Sequence, residues 1–211
     1  MKYKGIIFDL DGVICSTDEY HYRAWKALAD KLGIRFDRER NNLLRGVSRM
    51  ASLDILLGDR RDVYSDRAKQ EMAEEKNDLY RQMLGQMSPL DLEREVRKTL
   101  FMIRKSGMRM AIGSSSKNTP YILDRLGLEE FFDAVSDGNN ITRSKPDPEV
   151  FLKGAAFLGL SPAVCAVVED AVAGIDAANA GGFLSIGIGD AAGYARADKK
   201  IASRSELLTI L

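Results

Sequence analysis

Short apolar runs alternate with helical patterns along most of this 211-residue sequence. Five such runs, rich in β-branched and aromatic residues, predict strands at residues 4–8, 108–113, 132–135, 164–168 and 183–188. Between them, apolar residues recur with helical spacing, as in Leu92, Val96, Leu100 and Ile103. This alternation predicts an α/β fold, a Rossmann-like parallel sheet with helices on both faces.

Residues 16–87 interrupt the alternation, because they contain helical patterns and no convincing strand. Two apolar stripes define helices there: Ala24, Trp25, Leu28 and Leu32 in one, and Ala68, Met72, Leu79 and Met83 in the other. We therefore predict an all-helical cap domain at 16–87, called here the cap segment, inserted into a core made of 1–15 and 88–211. A domain inserted after the first strand would work as a lid over that strand's carboxyl end.

The charge balance and the cysteine content indicate which partners are excluded and which cellular compartment is expected. Lys and Arg together number 31, as do Asp and Glu, so no overall field would recruit nucleic acid or a membrane surface. Cys15 and Cys165 show neither metal-like spacing nor a disulfide framework, which favours the reducing cytoplasm. The apolar runs are far shorter than the roughly 20 residues of a membrane span. Asp9 and Asp11 interrupt the first run, which argues against a signal peptide.

Polar residues follow several of the predicted strands, where a parallel sheet binds its ligands. Asp9 and Asp11 follow the first strand, "GSSSKN" follows the second, and "EDAVAG" follows a later one. Lys145 lies in "TRSKPDPEVF", ahead of a predicted helix. Taken singly, these are ordinary features: a turn, a polar loop, a helix N-cap and a solvated lysine. Their joint occurrence at strand ends indicates one site.

The chemistry of this set points to phosphoryl transfer. The four acids Asp9, Asp11, Glu169 and Asp170 are hard oxygen ligands that suit Mg²⁺. The hydroxyl-rich turn offers hydroxyls and backbone N–H groups to a phosphate, and Lys145 adds a point charge. Asp9 could attack phosphorus as a carboxylate nucleophile, while Asp11 handles a proton on the attacking or leaving oxygen.

Four stretches resemble the four motifs of the haloacid dehalogenase superfamily of phosphoryl-transfer enzymes. They are "FDLDGVI", the hydroxyl residue Ser114 at the end of the second strand, "SKPDPEVF" and "VVEDAVAGIDAANAGG". The resemblance implies that Asp9 is the nucleophile and Asp11 the general acid/base, and that Ser114 and Lys145 hold the transferring phosphate. It also implies Mg²⁺ bound by Asp9, the backbone carbonyl of Asp11 and Asp170, with Glu169 close by.

The cap segment resembles that of the sugar-phosphate mutases of this superfamily, in "STDEYHYRAWKALADKLGI", "LLRGVSRMASLDILL" and "KNDLY". The resemblance implies substrate contacts at His21, Trp25, Arg45, Gly46, Val47, Ser48, Arg49, Ser52 and Lys76 in the cap segment, and at Ser115, Ser116, Lys117 and Asn118 in the core. Arg49 would grip the phosphate that is not transferred, since a guanidinium fork matches phosphate oxygens.

The residues alone leave three of these roles open. His21, the single histidine, is four residues from Trp25 and so shares its helix face, where it serves either the structure or the substrate. Trp25 fits a core position as well as a platform for a sugar. Lys76 lies between apolar positions, which fits either a side chain that extends to solvent or a ligand contact.

The expected activity is that of a mutase that interconverts β-D-glucose 1-phosphate and glucose 6-phosphate through phospho-Asp9 and glucose 1,6-bisphosphate. We expect a cytoplasmic monomer that binds these small sugar phosphates and neither nucleic acid nor membrane. A phosphatase of small sugar phosphates is the main alternative. A non-catalytic phosphate sensor and a dehalogenase are weaker ones, because neither requires the full acid set. The C-terminal stretch after Gly189 matches the family weakly.

Overall fold

The computed structural model describes residues 3–211; Met1 and Lys2, the start of the predicted core, lie outside the described residues. Its sheet has six parallel strands in the order β3-β2-β1-β4-β5-β6. Their bounds are Gly5–Phe8 for β1, Arg109–Gly113 for β2, Ala134–Ser136 for β3, Cys165–Glu169 for β4, Leu184–Gly187 for β5 and Lys199–Lys200 for β6. Strand β1 is buried throughout, as expected for an apolar strand between two neighbours.

Four longer helices cover the two faces of the sheet. They are α5 (Arg94–Lys105), α6 (Thr119–Arg125), α7 (Glu149–Phe157) and α8 (Val172–Ala180); a short α9 (Leu207–Ile210) follows. Ile6 of β1 packs in one cluster with residues of α5 and α6. Its neighbour Ile7 faces the other way and packs with residues of α7 and α8. The predicted α/β class with helices on both faces is confirmed.

The five predicted strands coincide with β1 to β5, with ends that differ by at most two residues. The largest difference is at β3, because Phe132 packs edge-on against Phe8 before the strand begins. Strand β6 was not predicted. Its two lysines are exposed and carry no apolar pattern, so only the backbone pairing with β5 identifies it.

The cap segment contains α1 (Asp18–Lys31), α2 (Arg38–Asn42), α3 (Arg49–Leu57) and α4 (Asp66–Leu84), and no strand. Helix α4 buries the predicted apolar stripe only in part, since Met72, Leu79 and Met83 are half-buried against the apolar clusters. Its buried residues are Ala73, Lys76, Tyr80 and Leu84, one position away from the predicted methionines and leucine. Tyr80 and Leu84 belong to the same cluster as Phe8, so contact with the core selects this face. The exact limits of the cap segment stay a prediction.

Among residues 3–211, none of the helices combines the length and the apolar character needed to cross a bilayer.

Candidate active site

A cavity of about 830 Å³ lies between the carboxyl ends of the strands and the cap segment. Its size suits a small organic ligand. The cavity is lined by Asp9, Asp11, His21, Trp25, Arg45, Gly46, Val47, Ser48, Arg49, Ser52, Lys76, Ser114, Ser115, Ser116, Lys117, Asn118, Lys145 and Asp170. Glu169 is the one predicted site residue outside this lining; it is fully buried behind Lys145. The fold therefore brings together residues that are up to 161 positions apart, from Asp9 to Asp170.

Three carboxylates and one lysine form the floor of this cavity. Oxygen atoms of Asp9, Glu169 and Asp170 lie within 4.8 Å of one another. The Lys145 ammonium donates to Asp9 Oδ1 and to Glu169 Oε1, each at 2.6 Å, and its side chain is fully buried. Burial alone would lower the pKa of Lys145, but the charges of Asp9 and Glu169 outweigh burial and raise it. Lys145 is therefore a permanent cation between two acids.

The carboxylates outnumber the cations in this cluster. Burial, reinforced by the charge of Asp9, raises the pKa of Glu169 to about 7. Burial and the charges of Glu169 and Asp9 raise the pKa of Asp170 to about 9. Such an excess of buried negative charge is relieved by a bound cation. The donor set is made of oxygens alone, which fits a hard divalent ion, so the cluster can hold a metal.

Gly12 makes room for this cluster. It adopts a left-handed backbone with φ of +82°, and a Cβ built on it would overlap the Asp170 carboxylate. A side chain at this position is therefore disfavoured for two reasons, the backbone conformation and a steric overlap with a candidate metal ligand.

Gly12→Ala is expected to weaken the binding of a divalent cation by about 10-fold or more, because Asp170 must shift, and shifted ligand support costs about that much. Calorimetric titration with Mg²⁺ measures the effect. Gly33→Ala is the matched control: its φ is +63°, with nothing within 4 Å of the added Cβ. The control should lose about 1 kcal/mol of stability with unchanged Mg²⁺ affinity. Equal affinities in both variants would contradict the assignment of Asp170.

Asp11 lies beside the cluster and is held by the cap segment. Thr17 donates its hydroxyl to the Asp11 carboxylate, and Tyr80 donates to Thr17 Oγ1 at 3.1 Å. Burial, together with the charge of Asp9, raises the pKa of Asp11 to about 7. A carboxyl group in this range can both give and take a proton near neutral pH.

Lys76 is buried and does not extend to solvent, which excludes one of its two interpretations. Its ammonium lies 2.9 Å from His21 Nδ1, and 4.6 Å and 4.5 Å from the ring centroids of Trp25 and Tyr80. Burial and the nearby Arg49 lower the pKa of Lys76 well below its usual value. Burial, followed by the charges of Lys76 and Arg49, also lowers the pKa of His21 well below its usual value. This corner of the cavity therefore resists a second positive charge unless an anion enters.

Trp25 occupies the core position that is one of its two proposed roles, and its role as a platform for a sugar stays a prediction. It packs in the apolar cluster of the cap segment with Leu28, Leu53 and Leu56, and it also lines the cavity.

The two predicted arginines of the cap segment differ in their partners. Arg45 donates to Asp18 and to Asp190 of the core and lies 3.8 Å from Asp170, so it joins the cap segment to the core. Arg49 begins α3 and lines the cavity. Among residues 3–211, neither Arg49 nor Lys117 takes part in an ion pair. These two side chains are thus cations available to an anionic ligand.

The turn after β2 is ordered by its own hydroxyls. Ser114 Oγ accepts from the Ser116 N–H at 3.2 Å, and Ser116 Oγ accepts from the Asn118 N–H at 3.1 Å. Ser115 donates to the Gly46 carbonyl of the cap segment at 3.1 Å.

Asn118 is engaged with α4. Its Nδ2 donates to Asn77 Oδ1 at 2.9 Å, and its Oδ1 accepts from Arg81 at 3.0 Å. A phosphate that binds Asn118 must therefore compete with these two contacts.

The remaining predicted contacts lie on the loop before α3 and on its first turn. Ser48 caps α3 by accepting from the Ala51 N–H at 3.2 Å, and Ser52 donates to the Leu44 carbonyl at 3.5 Å. Gly46 and Val47, which come just before the N-cap residue of α3, line the cavity. Both serine hydroxyls have a structural partner.

Sequence reasoning missed Thr17 and Tyr80, which together hold Asp11. Tyr80 follows Lys76 by one helical turn, so its position on the same face was available from spacing. The contact of Thr17 with Asp11 has no sequence signal, because it depends on the turn in which Asp11 pairs with Cys15.

The comparison with known families agrees with this geometry. A model of the family described as haloacid dehalogenase-like hydrolase matches residues 3–182, most of the chain. The chain belongs to this family.

Within this family the chain is similar both to proteins named as mutases and to proteins named as phosphatases. It is 39% identical over 206 residues to a β-phosphoglucomutase of Bacillus subtilis, covering 97% of this chain and 91% of that one. It is 33% identical over 190 residues to a fructose-1-phosphate phosphatase of Escherichia coli, covering 89% and 97%. The crystal structure of a β-phosphoglucomutase from Clostridium difficile matches with a TM-score of 0.92 and 37% identity, covering 97% of this chain and 93% of that one.

Proposed function

We propose that this haloacid dehalogenase-family chain is a β-phosphoglucomutase, interconverting β-D-glucose 1-phosphate and glucose 6-phosphate. One observation carries the proposal: a single cavity is lined both by Asp9 and Asp11 of the core and by the unpaired cations Arg49 and Lys117. A substrate with a phosphate at each end uses both sets at once. The similarity to β-phosphoglucomutases over nearly the whole chain supports the same reaction.

The nucleophile in this proposal is Asp9, whose carboxylate attacks the phosphorus of a sugar phosphate, while the bond from phosphorus to the sugar oxygen breaks and that oxygen leaves with a proton from Asp11. Lys145 holds the Asp9 carboxylate by its hydrogen bond, and Ser114, at the end of β2, holds the phosphate with Lys145. Phospho-Asp9 then passes its phosphoryl group to the C6 hydroxyl of β-glucose 1-phosphate, and Asp11 takes the proton of that hydroxyl. The product is glucose 1,6-bisphosphate. After this intermediate turns over, its C1 phosphate passes to Asp9, Asp11 returns the proton, and glucose 6-phosphate leaves.

The metal proposed for the acid cluster is Mg²⁺, held by Asp9, the backbone carbonyl of Asp11 and Asp170, with Glu169 close by. Bound Mg²⁺ would offset the charge of the carboxylates and stabilise charge on the transferring phosphoryl group. The cluster made only of oxygen donors supports this choice.

The cap segment supplies recognition of the rest of the substrate. Arg49 and Lys117 are proposed to bind the phosphate that is not transferred, with Ser116 and Asn118. His21, Trp25 and Lys76 are proposed to face the sugar, as are the loop of Arg45, Gly46, Val47 and Ser48 and the first turn of α3 at Ser52, with Ser115 where this loop contacts the core.

The enzyme is proposed to act as a monomer in the cytoplasm. Cys15 and Cys165 are both buried and unpaired, which suits a reducing compartment.

The test is an assay with Mg²⁺, β-glucose 1-phosphate and a trace of glucose 1,6-bisphosphate, in which glucose 6-phosphate and free phosphate are measured separately. We expect glucose 6-phosphate as the main product. Free phosphate as the main product, from several sugar phosphates including fructose 1-phosphate, would contradict the mutase and favour the phosphatase suggested by the second relative.

A further inference from the structure

The first connection between core and cap segment is held by an arginine from the C-terminal stretch. Arg204 Nε donates to the Val13 carbonyl at 3.2 Å, and its Nη2 donates to the Gly12 carbonyl at 3.0 Å. Both carbonyls belong to the loop that leaves β1, just after Asp11 and before α1 begins at Asp18. The guanidinium thus grips two successive peptide groups of this connection.

The second connection between the cap segment and the core is held in the same way, by an arginine of α6. Arg125, in the last turn of α6, donates from Nε to the Met87 carbonyl at 3.0 Å. Its Nη2 donates to the Met87 carbonyl at 2.6 Å and to the Gly85 carbonyl at 3.2 Å. Gly85 and Met87 directly follow α4, where the chain returns from the cap segment to the core.

Both arginines are themselves fixed to the core. Arg204 lies 3.7 Å from Glu93, and the next residue, Ser205, donates its N–H to Glu95 of α5 at 3.0 Å. Arg125 belongs to α6, the helix that follows the hydroxyl-rich turn after β2. Both anchors are therefore attached to the core: Arg204 holds the core-side end of the first connection, and Arg125 holds the residues that end α4.

We propose that Arg204 and Arg125 are positioning residues that hold both connections still, so that cap closure pivots about the end of α4 that Arg125 ties to the core. The bending of the first connection then falls between Val13 and α1, while the second connection moves least at Gly85, the C-cap of α4. This brings the cap segment back to the same place over Asp9 in every cycle. The inference rests on the proposed mutase, in which closure keeps water from phospho-Asp9.

The experiment compares Arg204→Ala and Arg125→Ala with Arg109→Ala, a matched control. Arg109 also donates to a backbone carbonyl, that of Leu158, but at the amino end of β2, away from both connections. Each protein is assayed for the ratio of free phosphate to glucose 6-phosphate. Amide hydrogen exchange is measured in residues 12–18 and 84–88, and thermal unfolding is recorded in parallel.

Each anchor variant should raise the ratio of free phosphate to glucose 6-phosphate by about fivefold, the scale of losing one net hydrogen bond. Exchange should speed up in the connection that lost its anchor. Arg204→Lys and Arg125→Lys should fall between the alanine variants and wild type, because an ammonium cannot reproduce the fork. Arg109→Ala should leave the product ratio and the exchange in both connections unchanged, and its effect should be limited to a lower unfolding temperature.

Three results separate the proposals. If the anchor variants match Arg109→Ala in product ratio and exchange, the anchoring role is wrong. If wild type itself releases mainly free phosphate, the mutase proposal fails, and exchange in the two connections still decides the anchoring role. If an alanine variant does not fold, its lysine variant decides: unchanged exchange and product ratio there would overturn the inference.

Discussion

Asp9→Asn is expected to lower turnover by a factor on the order of 10⁴ or more, the scale measured when a covalent nucleophile is removed. An amide keeps the size of the carboxyl group but has no charged oxygen to attack phosphorus. The fold should persist, because the substitution removes one negative charge from a cluster that has an excess of them.

Mass spectrometry of the intact chain after incubation with glucose 1,6-bisphosphate and Mg²⁺ measures this directly. Wild type should carry one phosphoryl group on Asp9, and Asp9→Asn should carry none. Asp30→Asn is the matched control, since Asp30 is an exposed residue of α1 whose ion pair is with Lys26. The control should be phosphorylated and active. A phosphorylated, active Asp9→Asn protein would assign the nucleophile to another residue.

Lys145→Met is expected to destabilise the metal-free protein by about 3–5 kcal/mol, the usual cost of removing one partner of a buried ion pair. The Lys145 side chain is fully buried, and its loss leaves Asp9 and Glu169 facing each other without a cation. Activity should also be lost, because Lys145 orients Asp9. Mg²⁺ should restore more stability to this variant than to wild type, since it becomes the principal positive charge in the cluster.

Denaturant unfolding with and without Mg²⁺ tests this expectation. Lys26→Met is the control, because it removes an exposed pair on one helix and should cost less than about 1 kcal/mol, with no dependence on Mg²⁺. Equal losses in the two variants would mean that Lys145 does not neutralise the buried acids.

The features predictable from the sequence are those that depend on neighbours along the chain. The strand pattern placed Asp9, Asp11, Glu169 and Asp170 after strands, and parallel pairing of β1 with β4 then brings these ends together. The features that escaped depend on contacts between distant segments. The buried face of α4, the bond of Lys76 to His21 and the hold of Arg204 on Gly12 follow from where whole helices and the C-terminal stretch pack.

Strand β6 has a consequence for solubility. An open sheet edge is a template on which a second chain can pair, and long apolar edges promote aggregation. Here the sheet ends in a strand of two residues, Lys199 and Lys200, both of them exposed lysines. The opposite edge, β3, is only three residues long. Each edge thus offers very few backbone groups to a neighbouring molecule, and at β6 the approach also brings together like charges. These two edges should help to keep the enzyme from forming edge-to-edge aggregates at high concentration.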